Sequence, residues 1–141
     1  MAEDQLFCVG QKAVIEKAGA VLVLNDPIFG SDLPGGKIQE GETDFLESLK
    51  REVREETGLE ITIGQPISTG YFDCPTDSNH RNAGKKIFII YFEATYLSGE
   101  LILSDEHDSY QWVTKESYRE FFSGSNKETN VFNALTVYFD L

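Results

Sequence analysis

Residues 36–59 read GKIQEGETDFLESLKREVREETGL, and this stretch decides the fold because it holds the strongest helix signal in the chain. From Asp44 to Thr57 the residues are good helix formers, with Leu46, Leu49 and Val53 on one apolar stripe at i, i+3 and i+7. Thr43 or Asp44 can cap the start, and Gly58 stands where a helix ends in the left-handed conformation. On such a helix Glu52, Glu55 and Glu56 fall within an arc of about 100°, beside the apolar stripe. Like charges at these spacings cost roughly 0.2–0.5 kcal/mol each, and the C-terminal end of the helix dipole disfavours them further. Either the three acids form a solvated face, or they gather to hold a cation. Carboxylates are preferred ligands of Mg²⁺ and Mn²⁺, which in turn bind phosphates. Gly35 and Gly36 place bare backbone just before the helix, where a ligand can approach closely. Arg51 can pair with Glu55 at i, i+4 and hold it in place.

Outward from the helix, FCVGQKAVIEKAGAVLVLN (7–25) reads as strand, turn and strand, broken at Lys17 to Gly19. DPIFGSDLPGGKIQEGET (26–43) is crowded with turn formers, so it reads as loop with a short extended piece around Gly36 to Gln39. A loop of that length inside a compact domain is usually functional. Leu59 to Asp73 reads as extended, PTDSNHRNAGKK (75–86) as a polar surface loop, and KIFIIYFEATYL (86–97) as the most β-prone run, expected at the sheet centre. A short strand ELIL (100–103), an acidic loop SDEHDS (104–109) and a strand YQWV (110–113) with Trp112 in the core should follow. Lys115 to Phe122 and Lys127 to Phe139 read as one or two amphipathic helices closing over the sheet. The expected fold is α/β, a mixed β-sheet between helices, with residues 1–141 as a single domain.

The chain carries 12 basic and 24 acidic residues, a formal charge of -12. That charge repels a nucleic-acid backbone, so a broad nucleic-acid surface is not expected. No run is long and apolar enough to span a bilayer, and the opening MAEDQLF is acidic where an export signal is basic. The expectation is a cytoplasmic protein, with no membrane partner and with Cys8 and Cys74 as thiols.

The stretch from Gly36 to Leu59 resembles the signature of the Nudix hydrolases, G-x5-E-x7-R-E-U-x-E-E-x-G-U with U aliphatic. Gly36, Glu42, Arg51, Glu52, Val53, Glu55, Glu56, Gly58 and Leu59 fill its fixed positions, and Leu33, Pro34 and Gly35 resemble the family's lead-in. Eight residues separate Glu42 from Arg51 where the pattern has seven, and Ser31 stands where the family often has Trp. The resemblance implies an α/β/α sandwich and hydrolysis of a nucleoside diphosphate linked to another group. It implies Mg²⁺ or Mn²⁺ held by Glu52, Glu55 and Glu56 with the Gly36 carbonyl, and Arg51 orienting a glutamate. Glu106, six residues before Trp112, matches a further metal-binding glutamate of some members; ordinary loop charge is the other reading of it.

For mechanism, Glu52 is the first choice for the group that takes a proton from the attacking water, with Glu55 and Glu106 as rivals. His107, His80 and the basic residues Arg81, Lys85 and Lys86 are weaker candidates for substrate contacts, and Phe29, Tyr71 or Phe72 can stack on a base. The expected partner is a nucleotide-like small molecule, either a nucleoside triphosphate, including oxidised ones, or a sugar nucleotide such as ADP-ribose. A homodimer stays open. A catalytically inactive nucleotide-sensing or protein-interaction module on the same scaffold is the competing class.

Overall fold

Seven strands and three helices follow from these patterns in a computed structural model that describes residues 2–124 and 129–141. The strands are β1 (Cys8–Lys17), β2 (Ala20–Asp26), β3 (Gly30–Asp32), β4 (Gly35–Lys37), β5 (Glu60–Asp73), β6 (Lys86–Ser98) and β7 (Ser109–Thr114). The helices are α1 (Phe45–Thr57), α2 (Tyr118–Phe121) and α3 (Thr129–Phe139). The sheet runs β3-β2-β1-β6-β5, with β4 pairing β1 and β7 pairing β2. Only β1 and β6 pair in parallel, so the sheet is mixed.

The strands AVI and VLVL are continuously apolar because both sheet faces are covered. With a side-chain period of two, Ala13, Ile15, Leu22 and Leu24 face Leu49 and Val53 of α1. Val14, Val21 and Val23 point the other way, into a cluster with Tyr118, Phe122, Val131 and Leu135. The result is the expected three-layer arrangement, α1 on one face and α2 with α3 on the other.

Helix α1 starts and stops where its caps dictate. The Asp44 side chain accepts from the Glu47 backbone N–H, and Gly58 is left-handed at φ 74°, donating its N–H to the Arg54 carbonyl. A Cβ on Gly58 would stand 2.7 Å from the Glu100 carbonyl oxygen. Gly58→Ala is therefore expected to destabilise the fold by about 1–2 kcal/mol from the left-handed conformation alone and so to lower the urea midpoint; an unchanged midpoint would contradict the crowding.

Four sequence expectations need correction. Leu46 is 45% exposed, and the buried stripe runs instead through Leu49, Val53 and Glu56, so Glu56 lies on the core face and not beside it. Residues 100–103 form no strand. Leu101 and Leu103 do turn into the core, but the backbone N–H groups of Ile102 and Ser104 donate to the Thr57 and Glu56 carbonyls, completing the end of α1 instead of a ladder. The loop 26–43 contains the short strand β3, which adds to the edge of β2. The first C-terminal helix shrinks to Tyr118–Phe121; of the second, Lys127 and Glu128 lie outside the described residues. Strand β6 is interior as expected, held by β1 on one side and β5 on the other, and Trp112 is half-buried against the α1-side core.

Candidate functional site

The β1–β4 pair brings Gly36 against α1 so closely that a Cβ there would stand 2.5 Å from the Glu52 carboxyl carbon. Glycine lets the backbone and that carboxylate meet, where a larger residue would push the carboxylate aside. Arg51 organises the rest of the exposed edge. It donates to Glu55 at 3.0 Å through one terminal nitrogen, and to Glu42 at 3.0 Å and Glu52 at 3.2 Å through the other. Glu42 also accepts from the Gln39 backbone and the Ser48 hydroxyl. With eight residues between them, Glu42 still reaches the Arg51 guanidinium.

Glu56 is 3% exposed and accepts from the Gly35 backbone N–H at 2.8 Å. Burial pushes its carboxyl up to about 8, with Lys12 opposing the rise and Asp32 adding to it. Burial also raises Glu52, against Arg51 and with Glu55. Lys12, inside β1, bonds Asp32 at 3.3 Å, and Asp32 in turn meets His107 Nε2 at 3.0 Å. Burial disfavours the Asp32 charge, but Lys12 and His107 outweigh it and hold the carboxyl well below its usual range. Burial likewise works against the Lys12 charge, and Asp32 and Glu56 overcome it. His107 is buried, and its Nδ1 has no hydrogen-bond partner among the described residues.

Of these groups Lys12, Asp32, Gly35, Glu52, Glu55 and Glu56 line one cleft of about 310 Å³, near the small end of the range for ligand sites, while Glu42 and His107 stand outside its wall. Gly36, Glu52, Glu55, Glu56 and Glu106 all stand in its wall, so every residue expected to hold a metal faces the same space. Arg51 is not in the wall and acts through the glutamates it holds. A carboxylate oxygen from Glu56, one from Glu106 and a ring nitrogen of His107 lie within 4.8 Å of one another. The polar loop before β6 is tied across this cleft. His80 Nε2 meets Asp26 Oδ2 at 2.8 Å with its ring 4.9 Å from Phe29, Lys37 donates to Asn82 at 2.5 Å, and Arg81 pairs with Glu106 at 3.4 Å. Phe29 and Phe72 line the cleft, whereas Tyr71 packs outside it on Phe7.

Sequence reasoning missed Lys12, Asp26, Asp32 and Lys37. Lys12 carried a signal: a charged residue inside a strand buried on both faces needs a counter-charge. Asp26 and Asp32 lie in the turn-rich loop 26–43 and carried none beyond composition.

The raised Glu56 carboxyl has a sign that stability can test. Unfolded, the group loses its proton near its ordinary value of 4.5; folded without a cation it keeps it to about 8. Between these limits the native state binds more protons, so stability falls as pH rises from about 5 to about 8 and then levels. The loss amounts to a few kcal/mol, at about 1.4 kcal/mol for each tenfold change in proton affinity. Urea midpoints across that range in a chelator should show the fall, and Glu56→Gln should flatten it; equal slopes for both proteins would contradict the assignment.

The protein-family model described as NUDIX domain matches residues 10–133. A MutT protein from Methanosarcina mazei Go1 is similar at 25% identity and a TM-score of 0.75, over 99% of this chain and 96% of that one. A NUDIX-family hydrolase from Clostridium perfringens aligns over 96% and 98% at 20% identity and a TM-score of 0.73. The ORF135 protein of E. coli aligns over 96% and 90% at 21% identity and a TM-score of 0.73. No curated protein matches the chain.

Proposed function

The chain belongs to the Nudix family of hydrolases, and from that premise we propose that it hydrolyses a phosphoanhydride bond in a nucleoside diphosphate linked to another group, with Mg²⁺ or Mn²⁺ as cofactor. We take residues 1–141 as one domain for this reaction. The observation that carries the reading is the convergence of the glutamates on one cleft beside the Gly36 backbone.

A divalent cation fits the donor set. Asp26, Asp32, Glu52, Glu55, Glu56 and Glu106 line the cleft against three permanent cations, Lys12, Lys37 and Arg81, and hard oxygen donors in excess are what Mg²⁺ and Mn²⁺ take. Glu52, Glu55, Glu56 and Glu106, with the Gly36 carbonyl, are the residues that would hold it. When bound, such a cation neutralises phosphoryl charge and makes water more acidic. Arg51 fixes Glu52 and Glu55 through its two terminal nitrogens. Glu52 takes the proton of the attacking water at a carboxylate oxygen, and its burial, which raises its proton affinity, suits it to that task. Glu55 is the more exposed, and both its oxygens accept from Arg51 where only one of Glu52's does, so it is the weaker base. Lys37 and Arg81 attract the substrate's phosphates, and Phe29 with Phe72 offers aromatic surface to its base.

The test is a panel of nucleoside triphosphates and sugar nucleotides with Mg²⁺ or Mn²⁺, read by product identity. A nucleoside monophosphate with pyrophosphate marks a triphosphate substrate; two phosphomonoesters mark a sugar nucleotide. No turnover of any member with either cation would instead favour a binding module, against which the complete glutamate set weighs.

A further inference from the structure

The buried imidazole beside the glutamates has one nitrogen committed and one idle. His107 Nε2 stands 3.0 Å from Asp32, and Asp32 is itself fixed by Lys12. A neutral ring that donates from Nε2 to a carboxylate carries its lone pair on Nδ1. That atom is shut off from solvent with no hydrogen-bond partner among the described residues, a state that costs roughly 1–3 kcal/mol when nothing else satisfies it. The His107 side chain is 0% exposed. Its position is also pinned by backbone: Ser104 donates to the Glu56 carbonyl and Asp108 to that of Asn25, at the two ends of the turn that carries it. A ring nitrogen of His107 falls within 4.8 Å of ligand oxygens of both Glu56 and Glu106.

We propose that His107 Nδ1 is a direct ligand of the cation held by Glu56 and Glu106, giving the site a mixed nitrogen and oxygen donor set oriented by Asp32. A carboxylate that holds one imidazole nitrogen while the other faces a metal is a recurrent arrangement for fixing ring orientation and basicity. The assignment rests on the cation-dependent reading above and deepens it. A nitrogen donor suits Mn²⁺ better than Mg²⁺, whose ligands are almost wholly oxygen. The site should therefore favour Mn²⁺ beyond what its carboxylates alone would give.

The experiment is pulsed electron paramagnetic resonance of Mn²⁺ on the full chain without substrate, reading coupling to ¹⁴N. The expected result is the signature of one directly bound imidazole, lost in His107→Gln and kept in His80→Gln, the chain having two histidines. His107→Gln should also weaken Mn²⁺ binding by roughly 10- to 100-fold while Mg²⁺ binding changes little. Should His107→Gln fail to fold, persistence of the signal in His80→Gln assigns it to His107. Bound Mn²⁺ without nitrogen coupling, or coupling lost in His80→Gln, overturns the assignment and leaves the hydrolase reading standing. No Mn²⁺ binding at all overturns both.

Discussion

Glu52→Gln is expected to lower kcat by roughly 100- to 10,000-fold, the range for removing a general base, while KM at saturating cation stays nearly constant. The substitution keeps the shape of a side chain packed tightly against Gly36 but removes its charge, so the proton acceptor is lost and one cation contact is weakened, which saturating cation offsets. Glutamine can still accept from Arg51 through its oxygen, so Arg51 should remain bound to Glu42 and Glu55, which it contacts at 3.0 Å each. Glu55→Gln should cost less, because its carboxylate is the more exposed and is occupied by the guanidinium. Steady-state kinetics on the best substrate of the panel decide the matter. A kcat within a few-fold of the parent for Glu52→Gln, with a large loss for Glu55→Gln or Glu106→Gln, would move the base to one of those residues.

How much of this was legible in the sequence depended on whether the signal was local. Helix α1 is bounded by Asp44 and Gly58 as its caps require, since capping involves residues only a few positions apart. The closeness of Gly36 to Glu52 was readable as a motif because one contiguous stretch holds both. Glu56 was misplaced beside the apolar stripe because its burial is set by β1 and β4, which supply Lys12 and the Gly35 N–H from far away in the chain. ELIL alternates like a strand and even turns alternate side chains inward, yet the free carbonyls at the end of α1 claimed its donors before any strand could. Nothing within four residues of Lys12 announces Asp32, twenty positions on, or His107, seventy-five beyond that.

That long-range contact set leads to the second large effect. Lys12→Met should destabilise the protein by about 2 kcal/mol, below the range for removing one partner of a fully buried pair because both side chains keep some exposure, which corresponds to a fall in Tm of roughly 7 °C for a chain of this size. Methionine fills the space of the lysine stem, so packing alone predicts a small change. The loss comes from Asp32, which bonds the Lys12 ammonium and would be left with only His107 against its charge in a half-closed cleft; Glu56, protonated below about 8 without a cation, adds little. This makes a specific demand on the double variant. Lys12→Met with Asp32→Asn should be more stable than Lys12→Met alone, because asparagine removes the stranded charge and its carbonyl oxygen can still accept from His107 Nε2. Unfolding is measured in a chelator, so that a cation does not stand in for the missing ammonium. A double variant that loses the sum of the two single costs would show that Lys12 and Asp32 act independently, and that the cleft's buried charges are balanced by some other group.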